Sequence, residues 1–226
     1  MKGFFGIYKP SGPTSHDIID EVRQAVNIQK VGHAGTLDPL AEGVLIVAIG
    51  RENTKKLALM MGKEKEYLCL IELGKKSLTG DQEGPITIVS KKRPLLGEIE
   101  STLSELRGET MQIPHKFSAV KIKGRKAYEL AREGKEVAIS PKKIIIRKIE
   151  VITYSYPLLS IRVISGPGTY IRSLTEDIGI RLKTGAYLKK LKRIRIGDIT
   201  EEIIKNSKTK IEIGDDLYLS KLEVTD

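Results

Sequence analysis

The sequence predicts an α+β domain on a largely antiparallel sheet. Three observations carry this expectation. Five strand-like runs are separated by only three helical stripes, the two classes do not alternate in a βαβ rhythm, and two long strands follow one another across a short turn. The first strand is Gly3–Lys9. Thr14 or Ser15 then caps a helix with Asp17 in its first turn, and Ile18, Val22 and Val26 recur every four residues as one apolar stripe. Val44–Ile49 is a continuous apolar run of the kind that forms a buried strand, and Tyr67–Leu73 is a second strand-like run, mostly apolar. Ile99, Leu103 and Leu106 mark a second helix. Ile144–Tyr154 and Leu158–Ile164 form a strand pair around Ser155-Tyr156-Pro157, and the alternation from Lys148 to Ile152 implies one wet face. A third helix, with Ile171, Leu174, Ile178 and Leu182 on one side, begins after Gly166-Pro167-Gly168.

A chain of 226 residues is long enough for one substantial core. No run approaches the roughly 20 apolar residues that span a bilayer, and the N-terminus lacks the features of a secretory signal, so a cytoplasmic protein is expected. The single Cys69, inside an apolar run, excludes an internal disulfide and reads as a buried, inert thiol. The three histidines, His16, His33 and His115, are scattered and lack cysteine partners, so no metal site is expected. The net charge of +10 is unevenly distributed. Seven Lys or Arg and no acid lie between Arg181 and Arg195, and seven more face two Glu between Lys116 and Lys135. Such blocks suit a polyanion, because each neutralised phosphate releases counterions. With 5% aromatic residues and no Trp, a broad base-stacking platform is not expected.

The most informative stretch is Gly32-His33-Ala34-Gly35-Thr36-Leu37-Asp38-Pro39-Leu40-Ala41-Glu42-Gly43. Pro39 disfavours the helical region for Asp38, and the glycines permit tight turns, so the carboxylate is pre-aimed. By itself this is a turn former or a reacting group. The whole stretch resembles the signature loop of the pseudouridine synthases that modify uridine 55 of the tRNA T-arm, the TruB type. That resemblance implies the pseudouridine synthase fold, a mixed central sheet flanked by helices with a basic flap insertion, and makes Asp38 the catalytic nucleophile.

Further segments match the same family in the same order. In Lys65-Glu66-Tyr67, the resemblance makes Tyr67 the ring that stacks on the target uracil and takes part in proton removal. In Gly166-Pro167-Gly168-Thr169-Tyr170-Ile171-Arg172, it makes Arg172 the guanidinium that keeps Asp38 ionised. Neither a GxGxxG nor a GK[ST] pattern is present there, so nucleotide-cofactor binding is unsupported. Leu188 to Gly197 resembles the closing motif, in which Leu191 packs into the active site and excludes water. His33 is implied to sit against the RNA where the target base has left its stack.

The stretch from Ile113 to Gly134 resembles an RNA-gripping insertion, placing a flap at about 113–140. Tyr8 to Ser15 matches an element that buttresses the Asp loop, and Ser77 to Gly84 a loop read as structural. The catalytic domain is thus expected over 1–200. The tail 201–226 is expected to pack on it, too short for the RNA-binding domain of the PUA type that many members carry. The implied partner is the tRNA T-arm stem-loop, with no cofactor, no obligatory protein partner and a monomeric state. A non-catalytic RNA chaperone, or a synthase of this family with another RNA target, is the alternative.

Overall fold

The computed structural model describes residues 1–222 except 119, 123, 136 and 215. In chain order the larger elements are β1 (Gly3–Lys9), α1 (Ser15–Val26), β2 (Val31–His33), β3 (Glu42–Ile49), α2 (Arg51–Lys55), α3 (Leu57–Met61), β4 (Lys65–Leu73), β5 (Lys75–Ser77), β6 (Ile86–Ile88), α4 (Leu96–Glu105) and β7 (Gly108–Gln112). There follow β8 (Lys121–Ile122), β9 (Arg125–Lys126), α5 (Ala127–Arg132), β10 (Lys142–Ser155), β11 (Leu158–Ser165), α6 (Ile171–Arg181), β12 (Ala186–Ile196), β13 (Ile199–Thr200), α7 (Glu201–Lys205), β14 (Lys210–Gly214) and β15 (Leu217–Leu222). No helix among the described residues is long and apolar enough to cross a membrane. The chain forms two compact units, residues 1–67 with 191–226 and residues 68–190, whose boundaries fall within β4 and β12.

In the first unit the strand order is β14-β15-β1-β3-β12. All these neighbours are antiparallel except β3 and β12, which run parallel with Lys192 opposite Glu42 and Arg193 opposite Gly43. The unbroken apolar run of β3 has a direct cause. Leu45, Val47 and Ile49 join a core with Ile18, Ile19 and Val22 of α1, while Val44, Ile46 and Ala48 join a second core with Phe4, Met60 and Ile204. A strand covered on both faces needs no polar residue in its alternation. Helix α1 starts as its sequence implies. Thr14 Oγ1 accepts the Asp17 N–H at 3.1 Å, and Asp17 returns the bond to the Thr14 N–H at 2.7 Å. The tail contributes β15, antiparallel to β1; residues 223–226 lie outside the described residues.

In the second unit the order is β4-β11-β10-β7. The β10–β11 hairpin turns at Tyr156-Pro157, and α4 lies against β10 and α6. Ile99, Leu103, Leu174 and Ile178 are buried, as their helical spacing implies. Ile152, an apolar residue on the wet face with Lys148 and Glu150, is 49% exposed, and a register shift between Val151 and Thr153 falls at this position. In the flap stretch, β8 and β9 make a small hairpin followed by α5; Ala119, Lys123 and Glu136 lie outside the described residues. Cys69 is buried, and burial pushes its thiol far up.

Candidate active site

The Asp38 loop of the first unit is held by the N-terminal segment. Lys9, fully buried, donates from Nζ to the carbonyls of Pro39 at 3.3 Å and Ala41 at 2.7 Å. Ser11 Oγ donates to Leu40 O at 3.0 Å, and the Gly12 N–H to Pro39 O at 2.8 Å. Ser15 both donates to Leu37 O and accepts from the Leu37 N–H. Leu37 and Leu40 are buried on either side, which leaves Asp38 half-buried on a loop clamped from both ends. The Tyr8 to Ser15 motif therefore acts as a structural brace through main-chain carbonyls.

Beside this loop stands a residue the sequence reading passed over, Arg193, with Tyr67 hydrogen-bonded to it and His33 in its field. Leu191 and Arg193 lie two apart on β12 and share a face, while Lys192 on the other face sits over the Tyr8 ring and pairs with Glu201. Arg193 is 1% exposed. It donates to Val44 O at 2.8 Å and Gly35 O at 2.9 Å, and hydrogen-bonds the Tyr67 phenol. Burial lowers its pKa, while the phenol and the Asp38 carboxylate act to raise it. It remains a guanidinium at any accessible pH. Within the first unit Arg193 is thus a fixed cation in the field of Asp38. In sequence it was one more member of a basic run, and only its position opposite Gly43 separates it.

Tyr67 is 6% exposed and Leu191 7%, so both are suited to walling off water rather than meeting it. His33 lies on β2 with its Nδ1 buried and without a hydrogen-bond partner among the described residues. Burial pushes its pKa down, assisted by the charges of Arg193 and His16, so it is neutral near pH 7. Lys65 is a second hidden cation. Its Nζ donates to Met61 O and Lys63 O at 2.7 Å each, past the end of α3, and burial with the Arg193 charge brings its pKa down to about 8. A lysine depressed in the folded state costs stability while protonated. That cost is present below about pH 8 and is relieved as pH rises toward the unfolded value of ~10.4. Wild-type stability relative to Lys65→Met should therefore increase from about pH 8 to about pH 10, read as the difference in Tm; a pH-independent difference would refute the assignment.

Arg172 belongs to the second unit. It is 7% exposed on α6, forms an ion pair with Asp81 at 3.3 Å, and donates to Thr79 O at 3.0 Å and Phe117 O at 2.9 Å. Asp81 in turn accepts from Thr79 Oγ1 and from the Glu83 N–H. The Ser77 to Gly84 loop, which reads as structural in sequence, thus supplies the buried carboxylate for this arginine. Gln112 bonds both the N–H and the C=O of Tyr170, which fixes the entry to α6. Among the described residues no three His, Cys, Asp or Glu side chains converge as metal ligands.

The basic blocks look different once their partners are known. Arg181 pairs with Glu105, Lys189 with Glu72, Lys192 with Glu201 and Arg195 with Glu66, while Arg193 is buried. Lys183, Lys190 and the buried Arg193 are the members of that run without an ion pair among the described residues. In the flap stretch Glu133 binds both Arg125 and Lys135. Part of the charge that suggested a polyanion partner is thus already paired with carboxylates of this chain.

Residues 23–171 match the family model described as TruB family pseudouridylate synthase (N terminal domain). A protein named tRNA pseudouridine synthase B from Clostridium novyi is 41% identical over 202 residues, covering 89% of this chain and 70% of that one. Another of that name, from Thermosipho melanesiensis, is 40% identical over 222 residues, covering 98% and 72%. Among solved structures, a chain from a Cbf5-Nop10-Gar1 complex superimposes with a TM-score of 0.67 at 30% identity, over 87% of this chain. This chain spans about half the length of that one (50%). With a family model matching well over half its residues, and relatives at about 40% identity along nearly its full length, the chain belongs to the TruB family of pseudouridylate synthases.

Proposed function

We propose that this chain isomerises the T-arm uridine of tRNA to pseudouridine in the cytoplasm, with Asp38 as the nucleophile. The observation that carries this reading is a half-buried carboxylate on a braced loop, in the field of the buried Arg193 guanidinium. The names of the relatives support tRNA as the substrate class. A fixed positive charge favours the ionised carboxylate in a poorly solvated site, and an ionised carboxylate is a usable nucleophile.

The reaction needs no redox partner. The N1–C1′ bond of the uridine breaks, C5 bonds to C1′, the proton on C5 leaves, and N1 ends protonated. The target nucleotide is first flipped from its stack, which costs a few kcal/mol. Asp38 attacks C1′ of the ribose or C6 of the uracil. Tyr67 stacks on the base and serves the proton step, Leu191 excludes water, and His33, neutral and with a spare ring nitrogen, fills the gap left by the flipped base. As the resemblance implies, Arg172 serves as the guanidinium that holds Asp38 charged.

The direct test is to incubate the protein with an unmodified tRNA transcript and map pseudouridine. Formation at the T-arm uridine is expected. Modification only of other RNAs would replace the T-arm assignment, and tight binding without any modification would leave an RNA chaperone. Because so many cations are internally paired, the salt response should be moderate. About four neutralised phosphates would weaken tRNA affinity roughly 100-fold between about 50 and 200 mM salt. A flat response would remove the basic surface from the binding site.

A further inference from the structure

The second unit holds a buried histidine that the reading above leaves unused. The side chain of His115 is 5% exposed and sits against α6, with Nε2 3.2 Å from Glu176 Oε1. Its other nitrogen, Nδ1, accepts the Phe117 N–H at 3.2 Å. An Nδ1 that accepts carries no proton, so the ring hydrogen is on Nε2 and points to the carboxylate. The His115 and Phe117 rings stack with centroids 5.9 Å apart.

Phe117 is held from both sides of its backbone. Its N–H goes to His115, and its C=O accepts Arg172 Nη2 at 2.9 Å. Arg172 and Glu176 are four apart on α6 and so share one helix face. That face clasps the His115–Phe117 segment at two points, Glu176 through the imidazole and Arg172 through the carbonyl. Gly80 allows the approach, since a Cβ there would meet His115 Nε2 at 3.1 Å and Arg172 Cβ at 3.4 Å. Among the acceptors that hold the Arg172 guanidinium, Thr79 O and the Asp81 carboxylate come from one loop, and the Phe117 carbonyl belongs to the segment that His115 fixes.

We propose that His115 is a positioning residue whose Nδ1 sets the Phe117 backbone and, through the Phe117 carbonyl, the orientation of the Arg172 guanidinium for catalysis. This rests on the functional reading above, in which Arg172 acts in the reaction. The two ring nitrogens have separable roles, and amide side chains copy them one at a time. Asn places an acceptor where Nδ1 stands, and Gln places a donor near Nε2.

His115→Asn should keep the Phe117 bond and hold kcat within about threefold of wild type. His115→Gln should lose that bond and drop kcat about 10- to 100-fold, the scale of a small misplacement of a catalytic group, with KM within about twofold. Equal kcat for the two variants, or a change confined to KM, would overturn the proposal. Nitrogen NMR of the wild-type imidazole is an independent readout that needs neither variant nor RNA. A single proton on Nε2 is expected, and a proton on Nδ1 at neutral pH would refute the bonding scheme. Should wild type fail to make pseudouridine while the tautomer is as expected, the functional reading fails and the bonding geometry stands.

Discussion

Asp38→Asn is expected to bind tRNA within a few-fold of wild type and to lose pseudouridine formation by at least about 10⁴-fold, the scale seen when a nucleophile is deleted. Asn is nearly isosteric, and Lys9, Ser11 and Ser15 brace the loop through the main-chain carbonyls of Pro39, Ala41, Leu40 and Leu37. Folding and RNA contact should therefore survive while the reacting group is gone. Gel-shift affinity and single-turnover mapping of the product separate the two effects. Residual isomerisation near the wild-type rate would sink the nucleophile assignment, and a parallel loss of binding would mean that the carboxylate holds the loop or the RNA rather than reacting.

Gly43→Ala should have the largest effect on the fold. Gly43 has φ +114°, and an added Cβ would lie 2.1 Å from the Arg193 carbonyl oxygen. The strain of a non-glycine residue in that backbone region costs about 1–3 kcal/mol by itself. The collision adds to it, because the parallel pairing of β3 with β12 brings the two main chains together at this point. A loss of about 3 kcal/mol or more is expected, or roughly 6–12 °C in Tm for a chain of this size. An unchanged Tm would show that β12 can move away from β3 freely. Since Arg193 is the residue displaced, the variant should also lose activity at temperatures where it remains folded.

Both expectations join what is local in the sequence to what is not. The glycines and Pro39 around Asp38 are a local pattern, and the loop they announce is present. The strands β1, β3, β4, β10 and β11 and the stripes of α1, α4 and α6 were legible because each is an apolar run or buries a periodic apolar face. The register shift in β10 was not, because a bulge belongs to the pairing of two strands rather than to either alone.

Charge was the least legible property. The run from Arg181 to Arg195 has no acid within it, yet Glu66, Glu72 and Glu105, distant in sequence, and Glu201, just beyond the run, meet four of its cations. Arg193 and Lys192 are adjacent and of like charge, but a strand sends them to opposite faces, one to a fully buried post beside Tyr67 and the other to Tyr8 and Glu201. Asp81 likewise drew no notice until it was found against Arg172.

Sequence alone therefore determined β1, β3, β4, β10 and β11, the helices α1, α4 and α6, and the tight loop around Asp38, because periodicity, caps and tight turns depend on near neighbours along the chain, while β12 was hidden in a basic run. The tertiary structure decided which cations are solvent-facing and which are posts, which carboxylate holds which guanidinium, and what supports them. Those pairings depend on desolvation and on distances between residues 50 to 150 positions apart, as between Arg172 and Phe117 (55) or Arg193 and Val44 (149), and no local pattern encodes them.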